Sequence, residues 1–158
     1  MQRTAFRALA TLALAAAAAI PSTMSTSQAR TALPSSGRTL AMADMSCFSL
    51  SYSSMTNNCT TRKYLEIPLT HDNSINNWLS PRVTAQGTAP TGTVGCTATA
   101  IKNDWTAVWS NNNAWQYEYI PVFGSPQDIV LDIFAPGDAG LYLTCDVYPL
   151  GRINLVRW

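Results

Sequence analysis

Two stretches of this chain alternate with strict parity, and each carries a cysteine on its apolar side. In Thr93 to Ile101, the residues Val94, Cys96, Ala98 and Ala100 share one side. In Leu141 to Tyr148, Leu141, Leu143, Cys145 and Val147 share one side against Thr144 and Asp146. A period of two belongs to extended chain, whose successive side chains point to opposite faces of a sheet. Both thiols then face the interior, and a Cys96–Cys145 disulfide inside the core is predicted. Cys47 and Cys59 pair by elimination and by nearness. Closing those loops is worth about 4 and about 3 kcal/mol respectively on loop-entropy grounds. No two cysteines have C-x-x-C spacing and the single histidine is not placed as a partner, so no metal site is expected.

The same parity recurs in shorter runs. Leu65, Ile67 and Leu69 align within Tyr64 to Leu69, with Pro68 on the other side, which suggests an edge strand. Val83 and Ala85 mark a weaker strand. Ile129, Leu131 and Ile133 align against Asp132, and Ile153 and Leu155 align in the last strand, Arg152 to Trp158. From Cys47 onward no helical period is sustained, and Gly, Pro, Asn and Ser interrupt the runs. The expectation is an all-β chain, an antiparallel β-sandwich stapled by two disulfides. Tyr142 stands three residues before Cys145, on the opposite strand face. The immunoglobulin tyrosine corner, which needs a spacing of two, is therefore not expected.

The first 29 residues read as a signal peptide: Arg3 and Arg7 without acids, an apolar run from Ala8 to Ile20, and a small-x-small site at Ser27-Gln28-Ala29. A cut nearer Pro21 is the alternative. The apolar run is too short to span a bilayer. Residues 30–46 lack either period and read as a flexible arm, and residues 47–158 as one domain. Of ten basic side chains Arg3 and Arg7 leave with the leader, so eight face nine acidic ones. With no basic run, nucleic-acid binding is not expected, and with no second hydrophobic span neither is membrane insertion after signal removal. An even cysteine count in an exported chain fits an oxidising, extracellular or periplasmic location.

The stretch Trp109 to Tyr119 poses the functional question. A hairpin of Lys102 to Trp109 with Trp115 to Val122, turning at Asn111-Asn112-Asn113, would put Trp105, Trp109, Trp115, Tyr117 and Tyr119 on one face. Burying that face is favoured, because the other carries Gln116 and Glu118 and a buried unpaired carboxylate costs several kcal/mol. Trp105, Tyr117 and Tyr119 are then the core members. Trp109 and Trp115 flank the turn, where they could stack on a sugar ring while Asn111, Asn112 and Asn113 supply hydrogen bonds. The alternative is a tip pair that packs only on itself.

Catalytic chemistry finds little support. His71-Asp72 is the single place for a general base, but adjacent strand residues point apart and no G-x-S-x-G elbow exists. Asp72, Ser74 and Asn76 fit positions 1, 3 and 5 of a calcium loop, yet Asn77 and Val83 stand where Gly and Glu belong, which excludes an EF-hand. Asp128 and Asp132 read as a solvated strand side rather than a glycosidase pair. No catalytic residue and no cofactor are expected.

Tyr64-Leu65-Glu66-Ile67-Pro68-Leu69 followed by Asp72, then Gly95-Cys96-Thr97, then Leu141-Tyr142-Leu143-Thr144-Cys145 with Pro149 and Arg152-Ile153, resemble motifs of a loose group of small exported bacterial proteins of unknown function. The resemblance covers Cys47 to Trp158. Ile67 stands where that group usually has cysteine, and Cys59 is the nearest replacement. It implies a secreted β-sandwich and supplies no activity. The resulting expectation is a secreted, non-catalytic binding or cell-surface interaction module, recognising a glycan or another surface component through the hairpin tip. A structural subunit of a matrix or surface layer is the alternative, and a small hydrolase a remote one.

Overall fold

The computed structural model describes residues 30–70, 76–111 and 116–158. In chain order its strands are β1 (Thr31–Ala32), β2 (Arg38–Thr39), β3 (Phe48–Ser51), β4 (Ser54–Asn57), β5 (Lys63–Leu69), β6 (Asn77–Leu79) and β7 (Arg82–Gln86). They continue as β8 (Val94–Lys102), β9 (Val108–Ser110), β10 (Glu118–Tyr119), β11 (Gln127–Val130), β12 (Ile133–Ala135), β13 (Ala139–Val147) and β14 (Arg152–Arg157). Helix is confined to three short 3-10 turns among the described residues.

The chain is an antiparallel β-sandwich. One sheet runs β11-β7-β14-β4-β3, with β1 added beside β14. The other runs β10-β8-β13-β5-β2, with β9 also on β8. A small β12–β6 pair closes one side. The inner faces of both sheets meet in one core: Met55, Val83, Ala85, Ile153 and Val156 from the first, and Leu65, Ile67, Val94, Ala98, Leu141, Leu143 and Val147 from the second. Cys96 and Cys145 are register partners on β8 and β13 and are joined by a disulfide within that core. Cys47 and Cys59 form the other bridge. The Cys96–Cys145 bridge matches the parity argument, and Cys47–Cys59 the pairing by elimination and nearness.

The 30–46 arm meets both sheets at two short pairings. Thr31 and Ala32 pair with Arg157 and Val156, and Arg38 and Thr39 pair with Glu66 and Leu65. Lys63 donates to Asp44 at 2.6 Å. Two-residue strands carry no detectable period, which is why the sequence reads as structureless there. β2 covers β5 only at Glu66 and Leu65, so the arm forms the edge there while Pro68, two residues on, has its one ladder partner in Tyr142 among the described residues.

The last strand departs from simple alternation. Ile153 pairs with Ala85 and Leu155 with Thr84, so Asn154 is an extra residue in the ladder. A bulge of one residue reverses the parity beyond it. Val156, not Leu155, therefore joins Ile153 in the core. Asn57, fully buried, ties the small disulfide loop down: its amide donates to Thr61 O at 2.9 Å and Val147 O at 2.7 Å and accepts from Cys59 N–H at 2.9 Å.

Candidate functional site: a tyrosine face around Asp146

The expected hairpin around the asparagines does not form. The chain turns earlier, at 102–107, where Lys102 N–H donates to Ala107 O and Trp105 N–H to Lys102 O. Asp104 fastens the turn by accepting from the Thr106 amide at 3.0 Å and the Thr106 hydroxyl at 2.6 Å. These bonds, with Lys102 adding to them, hold the Asp104 carboxyl down at about 2. Trp105 takes the left-handed backbone region, φ +60°, and stands 76 % exposed. It is not a core residue.

Two short pieces, 108–110 and 118–119, instead each pair with β8. Val108, Trp109 and Ser110 pair with Ile101, Ala100 and Thr99; Glu118 and Tyr119 pair with Cys96 and Gly95. Between the pieces, Asn111 stands in for a strand neighbour. Its side-chain oxygen accepts from Ala98 N–H at 2.9 Å and from the Thr97 hydroxyl at 2.7 Å, and its own N–H donates to Ala98 O. The amide oxygen expected to greet a ligand is spent on the ladder.

Trp109 faces the same way as its partner Ala100, whose small side chain leaves room. It is half-buried against the core and meets Phe134 edge-on at 6.3 Å, and Phe134 meets Trp78 at 5.8 Å. Asn112, Asn113 and Trp115 lie outside the described residues, as do His71, Asp72 and Ser74. Asn76 accepts from Gly137 N–H. Asp132 accepts from the Ser80 hydroxyl, and Asp128 from the Thr84 hydroxyl while pairing with Arg157. Each thus serves the local scaffold.

The functional candidate lies on the outer face of the β8–β13–β5 sheet. One row across it reads Tyr64 on β5, Asp146 on β13, Gly95 on β8 and Tyr119 on β10, all register partners. A side chain at position 95 would collide with the Tyr119 ring, because a Cβ there would lie 2.5 Å from its Cε1. Glycine lets that ring lie on the sheet and bring its hydroxyl to Asp146 Oδ2 at 3.0 Å. Tyr142 lies against Gly140 in a similar way. Ring centroids of Tyr64 and Tyr117, and of Tyr117 and Tyr119, stand 6.4 Å apart in both cases. The Arg62 guanidinium sits over the rings of Tyr64 (5.3 Å) and Tyr148 (5.9 Å) and approaches Asp146 Oδ2 at 3.5 Å.

Asp146 is the unusual member. Its side chain is 1 % exposed, and its second oxygen, Oδ1, is buried without a hydrogen-bond partner among the described residues. Buried polar atoms are paired in the large majority of cases, and the exceptions point to strain, function or a missing ligand group. Burial pushes the carboxyl above its ordinary value, opposed by the Tyr119 hydrogen bond and the Arg62 charge. Burial, with the Asp146 charge behind it, also raises the Tyr119 hydroxyl, and burial raises Tyr117.

Further along the same face, Ser36, Arg38, Glu66, Pro68 and Tyr142 line a cavity of about 250 Å³. Arg38 donates to Glu66 Oε2 through both Nε and Nη2, at 2.7 Å each. Sequence parity placed Glu66, Thr144 and Asp146 outward, but did not show that Asp146 would be roofed over. The readable signal was five tyrosines, 64, 117, 119, 142 and 148, near outward positions of neighbouring strands, with a glycine at 95 beneath one of them.

The fold and this face define a disulfide-bonded β-sandwich with an aromatic, polar-centred sheet surface. No family model and no curated protein matches the chain. Among solved structures it is similar to one described as the structural basis for the promiscuous specificity of carbohydrate-binding modules from the β-sandwich superfamily, at 7 % identity and a TM-score of 0.39. The match covers 82 % of this chain and 54 % of that one, so the chain spans about half the length of that relative. A likeness of that size bears on neither ligand nor site.

Proposed function

We propose that this chain is an exported, non-catalytic binding module that takes a glycan on the tyrosine face of its β8–β13–β5 sheet. The observation that carries the reading is the buried Asp146 Oδ1, an acceptor without a donor, set among Tyr64, Tyr117 and Tyr119. A sugar offers both things such a site lacks: hydroxyl donors for the carboxylate and C–H faces for aromatic rings. Tyr119, exposed and lying on a glycine rather than locked in the core, is the group that moves aside on binding. Export rests on the signal-like leader and agrees with the two disulfides. Among the described residues no helix is long and apolar enough to cross a membrane.

Affinity electrophoresis against a panel of soluble polysaccharides tests the reading. At least one polymer retards the native chain, and Tyr64→Ala or Asp146→Asn weakens the retardation tenfold or more while circular dichroism is unchanged. Equal retardation of native and variant chains by every polymer that binds would remove this face from the account.

A second reading, an assembly subunit, is favoured by β3. Among the described residues it pairs with β4 alone and exposes Leu50, and the adjoining turn holds Tyr52 fully exposed at φ +55°. An open strand edge with apolar side chains is a template for pairing. Light scattering over a hundredfold concentration range decides it: growth in size supports assembly, a constant monomer excludes it.

A further inference from the structure

We infer that the ligand of this face is an extended acidic polysaccharide, gripped at two arginines. The inference rests on the glycan reading above and adds the ligand's charge and shape.

The charge argument starts from which partner of each ion pair is outermost. Arg38 and Glu66 are paired with side-chain exposures of 76 % and 18 %; Arg62 and Asp146 with 49 % and 1 %. In both pairs the acid is tucked against the sheet and the guanidinium stands over it. An approaching ligand therefore meets two cations, although the chain as a whole is near neutral. Arg38 spends Nε and Nη2 on Glu66, and a guanidinium has five N–H donors, so Nη1 remains for a second anion. Arg62 is preset by Tyr64 and Tyr148, whose rings hold its planar group in place. A guanidinium fixed in this way suits a planar carboxylate better than a lysine would.

The shape argument comes from strand geometry. Arg38 is the register partner of Glu66 on β5, and Arg62 precedes Glu66 by four residues along the same run. At roughly 3.3 Å per residue the two anion positions stand about 13 Å apart. Tyr142 and Tyr148 mark the ends of a track of about 20 Å along β13, on the same spacing. The 250 Å³ cavity opens at the Tyr142 end and the tyrosine cluster lies at the other. Between them Thr144, partner of Glu66, offers a low floor. A single sugar cannot reach both ends. A linear chain can, with acidic units at Arg38 and Arg62 and ring faces on the tyrosines between.

The test compares polygalacturonate, its carboxyl-reduced neutral counterpart, and poly-L-glutamate by calorimetry at low and high salt. The full chain and the variants Arg38→Gln, Arg62→Gln and the double substitution are used. Both arginines are exposed, so the variants are expected to fold, and circular dichroism checks this. The expected result is binding of polygalacturonate at least tenfold tighter than of the reduced polymer, with that preference shrinking in high salt. Each single substitution removes part of the preference, and the double variant binds the two polysaccharides alike. Equal affinity of the native chain for both overturns the acidic ligand and leaves the glycan reading standing. Equal affinity for poly-L-glutamate and polygalacturonate overturns the sugar chain in favour of any polyanion. Binding of none of the three overturns this inference, and failure of the wider polysaccharide panel as well would take the glycan reading with it.

Discussion

Tyr119 lies on Gly95: the two are register partners, and the ring occupies the space in which any side chain at 95 would stand. That contact brings the Tyr119 hydroxyl to Asp146 and roofs the carboxylate. Gly95→Ala is therefore expected to lift the ring, break the 3.0 Å hydrogen bond and destabilise the fold by about 1–3 kcal/mol, the usual cost of overpacking. Chemical denaturation measures the loss, and the Tyr119 ring resonances report the displacement. An alanine variant with native stability and native ring shifts would contradict the packing described.

The Asp146 carboxyl gives a pH dependence with a definite sign. Its folded-state value is raised, with burial the main cause. Between the ordinary carboxylate value and the raised one, the folded chain holds a proton that the unfolded chain has released. Stability from this group is thus full below the ordinary value and is lost as pH rises through the raised one. Asp146→Asn is expected to flatten that slope in a series of urea melts. Affinity for a neutral polysaccharide runs the opposite way, falling as acidification protonates the acceptor.

Asp104 behaves in the reverse manner. Held at about 2 by Thr106 and Lys102, its ionised form supports the 102–107 turn. That support is present above the ordinary carboxylate value and disappears as pH falls through about 2. A side-chain carbon titration by NMR is expected to place its midpoint there, and Thr106→Val to move it upward.

Asn57 is a larger lever on stability than its chemistry suggests. Asn57→Ala would leave two carbonyls and one amide without their partner and free the Cys47–Cys59 loop from β13. A loss of roughly 2–5 kcal/mol is expected from the unpaired groups. Removing the Cys96–Cys145 bridge by double alanine substitution is expected to cost about 4 kcal/mol. Denaturant midpoints compare the two directly.

Tryptophan exposure is also predicted residue by residue. Trp78 at 70 % and Trp105 at 76 % exposure are open to acrylamide, while Trp109 packs on Phe134 and the core. Trp78→Phe with Trp105→Phe is expected to remove much of the quenchable emission, and Trp109→Phe to leave it.

Much of the sandwich was legible because alternation is local. The core sides of β5, β7, β8 and β13 follow from reading every second residue, and with them the partner of each cysteine. Reading failed where one residue changed the count or where a strand was too short to have a period. The Asn154 bulge turned Val156 inward in place of Leu155, and the two-residue β1 and β2 were too short to be read from pattern. Of the candidate site, Asp146 and Glu66 were readable as outward-facing residues and nothing more.

Composition, parity and cysteine placement in the sequence alone determined an all-β, disulfide-bonded chain and the core-facing side chains of its longer strands. Tertiary structure alone decided where the aromatic residues went. The stretches 108–110 and 118–119 had two antiparallel partners available, each other or the edge of β8, and local pattern is the same for both. Pairing with β8 won, with Asp104 closing an earlier turn and the Asn111 amide bridging the gap in the ladder. That choice sent Trp109 inward and laid Tyr119 over Gly95, since strand parity fixes the face of a residue only after its neighbour is known.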